Sequence, residues 1–137
     1  MTGIVIDTNV VVSALLKPRG AEADVLRFAL NGRFKLYVSE VILQEYEGVA
    51  RRPKFKRPDS VVTALLDSIR SSAELLMPTQ ALSVSKDESD NRFLELAEKA
   101  SADYLVTGNK RHFPKRWKST DIVSARTLLQ LTMPPEH

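Results

Sequence analysis

The run Ile4-Val5-Ile6 stops abruptly at Asp7-Thr8-Asn9, and a second apolar run, Val10-Val11-Val12, follows at once. Short branched apolar runs of this kind predict a strand buried on both faces, here residues 3 to 7. A carboxylate, a hydroxyl and an amide stand side by side where that strand ends. In open parallel α/β sheets, ligands bind beyond the carboxyl ends of the strands, so Asp7 is expected at the active edge of the molecule.

The rest of the chain alternates strands with helices. Helices are expected at 8 to 16 with Thr8 or Asn9 near the cap, at 21 to 30 with Asn31-Gly32 as the stop, and at 40 to 51 with Ser39 as cap. Further helices are expected from Asp59 or Ser60 to 72, from the acidic group 87 to 90 through 100, and from the Ser124 cap to 131. Strands are expected at 34 to 38, 74 to 77, 104 to 108 and 121 to 123, with basic loops at 51 to 58 and 110 to 118. The alternation implies a parallel sheet covered on both faces. At 137 residues the chain suits one domain, 1 to 137.

Projected at about 100° per residue, the helix from 40 to 51 has the apolar stripe Val41, Ile42, Tyr46 and Val49, and Glu45 falls inside it. A buried charge needs a cation, a hydrogen-bond network or a wet cleft. Glu40 and Glu47 lie off the stripe. Asp90 falls on the apolar side of its helix with Phe93, Leu94 and Ala97, while Glu95, Glu98 and Lys99 project outward. Each acid alone also has a structural reading: Asp7 as a strand-end cap, Glu45 as a buried ion-pair partner, Asp90 as a helix-start acid. Three together repel and raise one another's pKa unless a cation sits among them. There is no cysteine, so the donors are hard oxygens, which favour Mg²⁺ or Mn²⁺ over zinc. Such an ion suits phosphoryl hydrolysis by activated water.

The ordered set Ile4-Val5-Ile6-Asp7-Thr8-Asn9, Ile42-Leu43-Gln44-Glu45-Tyr46, Asp87 to Leu94 and Ala102 to Lys110 resembles the PIN-domain family, especially toxin-like ribonucleases of the VapC type. The resemblance implies a Rossmann-like PIN fold, α/β, with a central parallel sheet of four to five strands flanked by helices. It implies a metal-dependent endoribonuclease in which Asp7, Glu45 and Asp90 hold the metal, Thr8 lies near the metal water and Thr107 supports the site. An RNA substrate, an antitoxin partner and a homodimer come with it. Asn109 stands where many members carry a fourth acid, which makes a one-metal state the default, with Asp87 as a substitute ligand. The neutral Asn109 also motivates an alternative, a weakly active or non-catalytic RNA-binding module. A haloacid-dehalogenase phosphatase wants a second Asp where Asn9 stands, and a receiver domain would give Glu45 no role.

The net charge of +3 is modest, but Arg51, Arg52, Lys54, Lys56 and Arg57 form one basic cluster and Lys110, Arg111, His112, Lys115, Arg116 and Lys118 another. Such clusters attract phosphate backbones, and Phe55, Phe113 and Trp117 are candidates for stacking on unpaired bases. His112 alone reads as a phosphate contact or a structural hydrogen bond. No basic leader precedes the first apolar run and no stretch approaches about 20 apolar residues, so a cytoplasmic, membrane-free protein is expected.

Overall fold

The computed structural model describes residues 1–133. Strand β1 (Gly3–Ile6) is buried residue by residue, which requires cover on both faces because successive side chains alternate. It lies at the centre of a six-stranded sheet, order β3-β2-β1-β4-β6-β5, with β2 at Lys35–Val38, β3 at Glu74–Leu75, β4 at Tyr104–Val106, β5 at Arg116–Trp117 and β6 at Thr120–Val123. All pairings are parallel except β5 with β6. The sheet therefore has one strand more than the four to five expected. The extra strand arises inside the 110 to 118 loop, where Lys118 takes φ +54 and turns the chain back as a hairpin.

Among the described residues six α-helices flank the sheet: α1 (Thr8–Leu16), α2 (Ala21–Leu30), α3 (Glu40–Ala50), α4 (Asp59–Ser72), α5 (Glu88–Ala100) and α6 (Ala125–Thr132). Gly32, at φ +87, supplies the left-handed residue after α2. Helix α5 packs on β1, β2 and β4, whereas α2 and α6 pack on each other and reach β2 and β4 respectively. The core gathers β-strand aliphatics with Phe34, Tyr46, Phe93, Leu94, Leu96 and Leu128. Ser39 and Ser124 cap α3 and α6 as the sequence suggests, through bonds from the Ile42 and Thr127 amides. The cap of α1 differs from expectation: Asp7 itself occupies it, its carboxylate accepting from the Thr8 amide. Among the described residues no helix is long and apolar enough to cross a membrane.

Strand β1 is followed by β2 on one side and, after the crossover, flanked by β4 on the other. The chain thus leaves the sheet in opposite directions from neighbouring strands, opening a crevice at the carboxyl ends of β1 and β4.

Candidate active site

The crevice is built first by the register of β1 and β4. Ile6 sits opposite Val106, and the Asp7 amide bonds the Val106 carbonyl at 2.8 Å, so Asp7 and Thr107 emerge together. The Thr107 hydroxyl donates to Asp7 Oδ2 at 2.7 Å and accepts from the Asn109 amide at 2.9 Å. One fully buried hydroxyl therefore fixes both the carboxylate and the turn after β4. Asn9 accepts from the Gly108 amide at 3.1 Å and ties the same turn to α1.

Helix α3 brings Glu45 to this edge. Its neighbour Tyr46 is buried, and its hydroxyl donates to the Ile6 carbonyl, pinning the helix to β1 one residue before Asp7. The Thr8 hydroxyl donates to Glu45 Oε2. Asp90 enters from the first turn of α5, with Ser85 Oγ at 3.4 Å and His112 Nδ1 at 3.4 Å, both on Oδ2. Asp7, Glu45 and Asp90 line one cleft of about 640 Å³ together with Thr8, Arg52, Phe55, Asp87, Asn109 and His112.

Electrostatics follow from burial. Asp7, 6% exposed, is pushed from 3.8 up to about 6, mainly by desolvation and further by the charges of Asp90 and Glu45, against the bonds from Thr107 and Thr8. Burial likewise raises Glu45, with Asp90 adding to it, and raises Asp90, with Asp87 adding to it. Two neighbours act the other way: Arg52 lowers Glu45 and His112 lowers Asp90. A set of oxygen donors destabilised by its own charge fits a hard divalent cation. Among the described residues, one set of three or more acidic or imidazole side chains brings its donor atoms within 4.8 Å of one another, and it comprises Asp87, Asp90 and His112.

Several expectations are corrected. Glu95 does not project outward: it is buried, and its Oε2 accepts from the Leu82 amide at 2.8 Å and pairs with Arg92 at 2.9 Å, because the segment before α5 folds over that side of the helix. Val41 is 56% exposed while Leu43 is buried, since α3 meets α1, α4 and α5 and its covered face is rotated accordingly. Phe113 is buried at 7% exposure and is closed to base stacking, whereas Phe55 is half-buried in the cleft wall. Arg51 is committed to Glu47 at 2.9 Å and Asp59 at 3.2 Å, and Arg57 donates to the Leu16 carbonyl at 3.3 Å. Asn109 lines the cleft but is exposed, its side chain held less firmly than its backbone.

Other residues escaped sequence reasoning. Asn91, 2% exposed, accepts from the Val84 and Ser85 amides at 3.0 and 2.7 Å and donates to the Ser85 carbonyl at 3.0 Å, so it holds the segment that presents Ser85 to Asp90. On the helical projection Asn91 falls between Glu95 and Glu98, on the side expected to face solvent, so the periodic pattern held no signal for it. The approach of His112 to Asp90 carried none, because a loop makes it.

A family model described as PIN domain matches residues 3–111. The chain is 30% identical over 110 residues to the uncharacterized protein MJ1680 of Methanocaldococcus jannaschii, covering 78% of this chain and 70% of that one. Among solved structures, the crystal structure of VapBC2 from Rickettsia felis bound to a DNA fragment from their promoter superposes with a TM-score of 0.60 at 19% identity, over 88% of this chain and 97% of that one.

Proposed function

This chain belongs to the PIN-domain family, and on that footing we propose that it is a metal-dependent endoribonuclease, the toxin of a toxin–antitoxin pair. One observation carries the reading: three separate elements deliver Asp7, Glu45 and Asp90 to a single cleft, and all three carboxylates are held above their ordinary pKa. Asp7, Glu45 and Asp90 would hold Mg²⁺ or Mn²⁺. When bound, such an ion neutralises their charge, orients a phosphodiester and activates water for in-line attack.

The chain's own residues supply preorganisation. Thr107 holds Asp7 in one orientation and Thr8 holds Glu45, so neither carboxylate has to reorganise as charge develops. Asn109 offers an uncharged amide at the cleft mouth, and Arg52 lies in the cleft wall beside Phe55, suited to a phosphate and to a base of a single strand. A second cleft of about 640 Å³ adjoins the first and shares Asp87, Asp90 and His112 with it, with Lys86 and Arg111 along its wall. Together they offer an extended strand a continuous track. The antitoxin partner, a homodimer and a cytoplasmic setting belong to the same proposal, supported by the family and by the fold shared with the VapBC2 structure.

The test is incubation of labelled single-stranded RNAs with the purified protein in Mg²⁺, Mn²⁺ or chelator, beside Asp7→Asn. Metal-dependent cleavage that the variant lacks is the expected result. Undiminished cleavage in both Asp7→Asn and Asp90→Asn would sink the site assignment. RNA bound but uncleaved under every metal would favour the non-catalytic module that the neutral Asn109 suggests.

A further inference from the structure

We infer that His112 supplies an imidazole nitrogen to a divalent cation held at Asp90, so that this position is a mixed oxygen and nitrogen site, completed by Asp87, that prefers Mn²⁺ to Mg²⁺. The inference rests on the metal-dependent reading above. Donors about 2.0 to 2.3 Å from one ion lie at most about 4.6 Å apart. The donor atoms of Asp87, Asp90 and His112 already lie within 4.8 Å of one another, and His112 Nδ1 stands 3.4 Å from Asp90 Oδ2. Convergence on one ion therefore needs only small side-chain movement.

Each member is held from behind. His112 closes the single 3-10 turn Lys110–His112, its amide bonded to the Asn109 carbonyl at 3.0 Å, and the buried Phe113 anchors the chain directly after it. Asp87 caps α5, accepting from the Ser89 amide and hydroxyl at 3.0 and 2.8 Å; both bonds fall on Oδ1, leaving Oδ2 to turn toward the cleft. Asp90 is 6% exposed between them. The residue after Thr107-Gly108 is the neutral, exposed Asn109, so no acid in that turn competes with the imidazole. Mg²⁺ demands oxygen donors and sheds its water reluctantly. Mn²⁺, at the start of the first-row series whose later members take imidazole readily, tolerates one nitrogen among oxygens, so an imidazole here discriminates against Mg²⁺. The track between the two clefts crosses this position, so an ion here would meet the phosphate of a threaded strand.

The experiment is pulsed electron paramagnetic resonance of the Mn²⁺-loaded protein, with Mn²⁺ and Mg²⁺ affinities measured by calorimetry. The chain has two histidines, His112 and His137, so the assignment is clean. Nitrogen modulation is expected in the parent and in His137→Gln and absent from His112→Asn and His112→Asp. The ratio of Mn²⁺ to Mg²⁺ affinity should fall at least about tenfold in His112→Asp, since even an outer-shell partner is worth that much. His112 is 54% exposed in its side chain, so these variants should fold. Absent nitrogen modulation in the parent, its persistence in His112→Asn, or no metal binding at all would overturn the inference. Metal bound through oxygen alone with RNA still cleaved would overturn it and leave the nuclease standing; nitrogen ligation without any cleavage would do the reverse.

Discussion

Asp7 meets two opposed demands: it is buried at the end of β1, and the proposed metal site needs it charged. In the unfolded chain it titrates at 3.8 and in the folded chain at about 6. Between those values the folded chain holds a proton that the unfolded chain has released. The contribution to stability is therefore whole below pH 4, declines as the pH rises to 6, and leaves the folded protein worse off by about 3 kcal/mol at pH 7. Asp7→Asn should accordingly abolish cleavage while raising the stability of the metal-free protein by up to about 3 kcal/mol at neutral pH, with the gain gone at pH 4. Urea unfolding at both pH values in chelator checks this, and a gain at pH 4 equal to that at pH 7 would refute the electrostatic cause. Thr107→Val keeps the shape of that buried side chain but removes the hydroxyl that donates to Asp7 and accepts from Asn109. A loss of about 1 to 3 kcal/mol is expected, and Asp7 should titrate higher still, because the hydroxyl is the larger of the two bonds that lower it.

Helix α3 was placed from its Ser39 cap and its apolar spacing, and the same spacing singled out Glu45. The spacing is informative because a helix packed against its neighbours buries one stripe, and a carboxylate inside the stripe stands out. It failed for Glu95, because α5 is covered on a second side by residues 82 to 85, and nothing in a periodic pattern reveals what a connecting segment will do. Strand β6 matches the strand expected at 121 to 123, but its partner β5 is not legible for a similar reason: a strand of two residues and a left-handed Lys118 give no alternation to detect. Asp7, Glu45 and Asp90 were thus legible from strand end and helix face, whereas the pairing of His112 with Asp90 depends on a loop path. Asn91 shows how such a segment is held. Asn91→Ala removes acceptors for two amides, each bond worth about 1 kcal/mol. Amide exchange at Val84 and Ser85 should quicken at least about tenfold while β1 and β4 keep their protection. Unchanged exchange at both amides would mean that Glu95 alone holds the segment.

The protein as a body divides its charge sharply. Three buried or half-buried carboxylates occupy the crevice, and exposed cations stand on its two rims, so a net charge of +3 understates the field that a polyanion meets. After Arg51, Arg57, Arg116 and Lys118 are spent on contacts within the chain, the exposed Arg52, Lys54, Lys56, Lys110, Arg111 and Lys115 remain for phosphate. If four of these touch a single strand, log K should fall with log salt at a slope of about −3. Replacing Lys110 and Arg111 together by Glu should flatten that slope by about 1.4 or more, without lowering thermal stability, since both side chains are exposed. The crevice adds a condition that the rims do not. Without a divalent cation its carboxylates repel the phosphate that the rims attract, so RNA should bind more weakly in chelator than in Mn²⁺ at equal ionic strength, and Asp7→Asn should narrow the gap. Fluorescence anisotropy with a labelled single strand measures all of this. Binding indifferent to both metal and Asp7→Asn would mean that the strand lies on the basic rims and never enters the crevice.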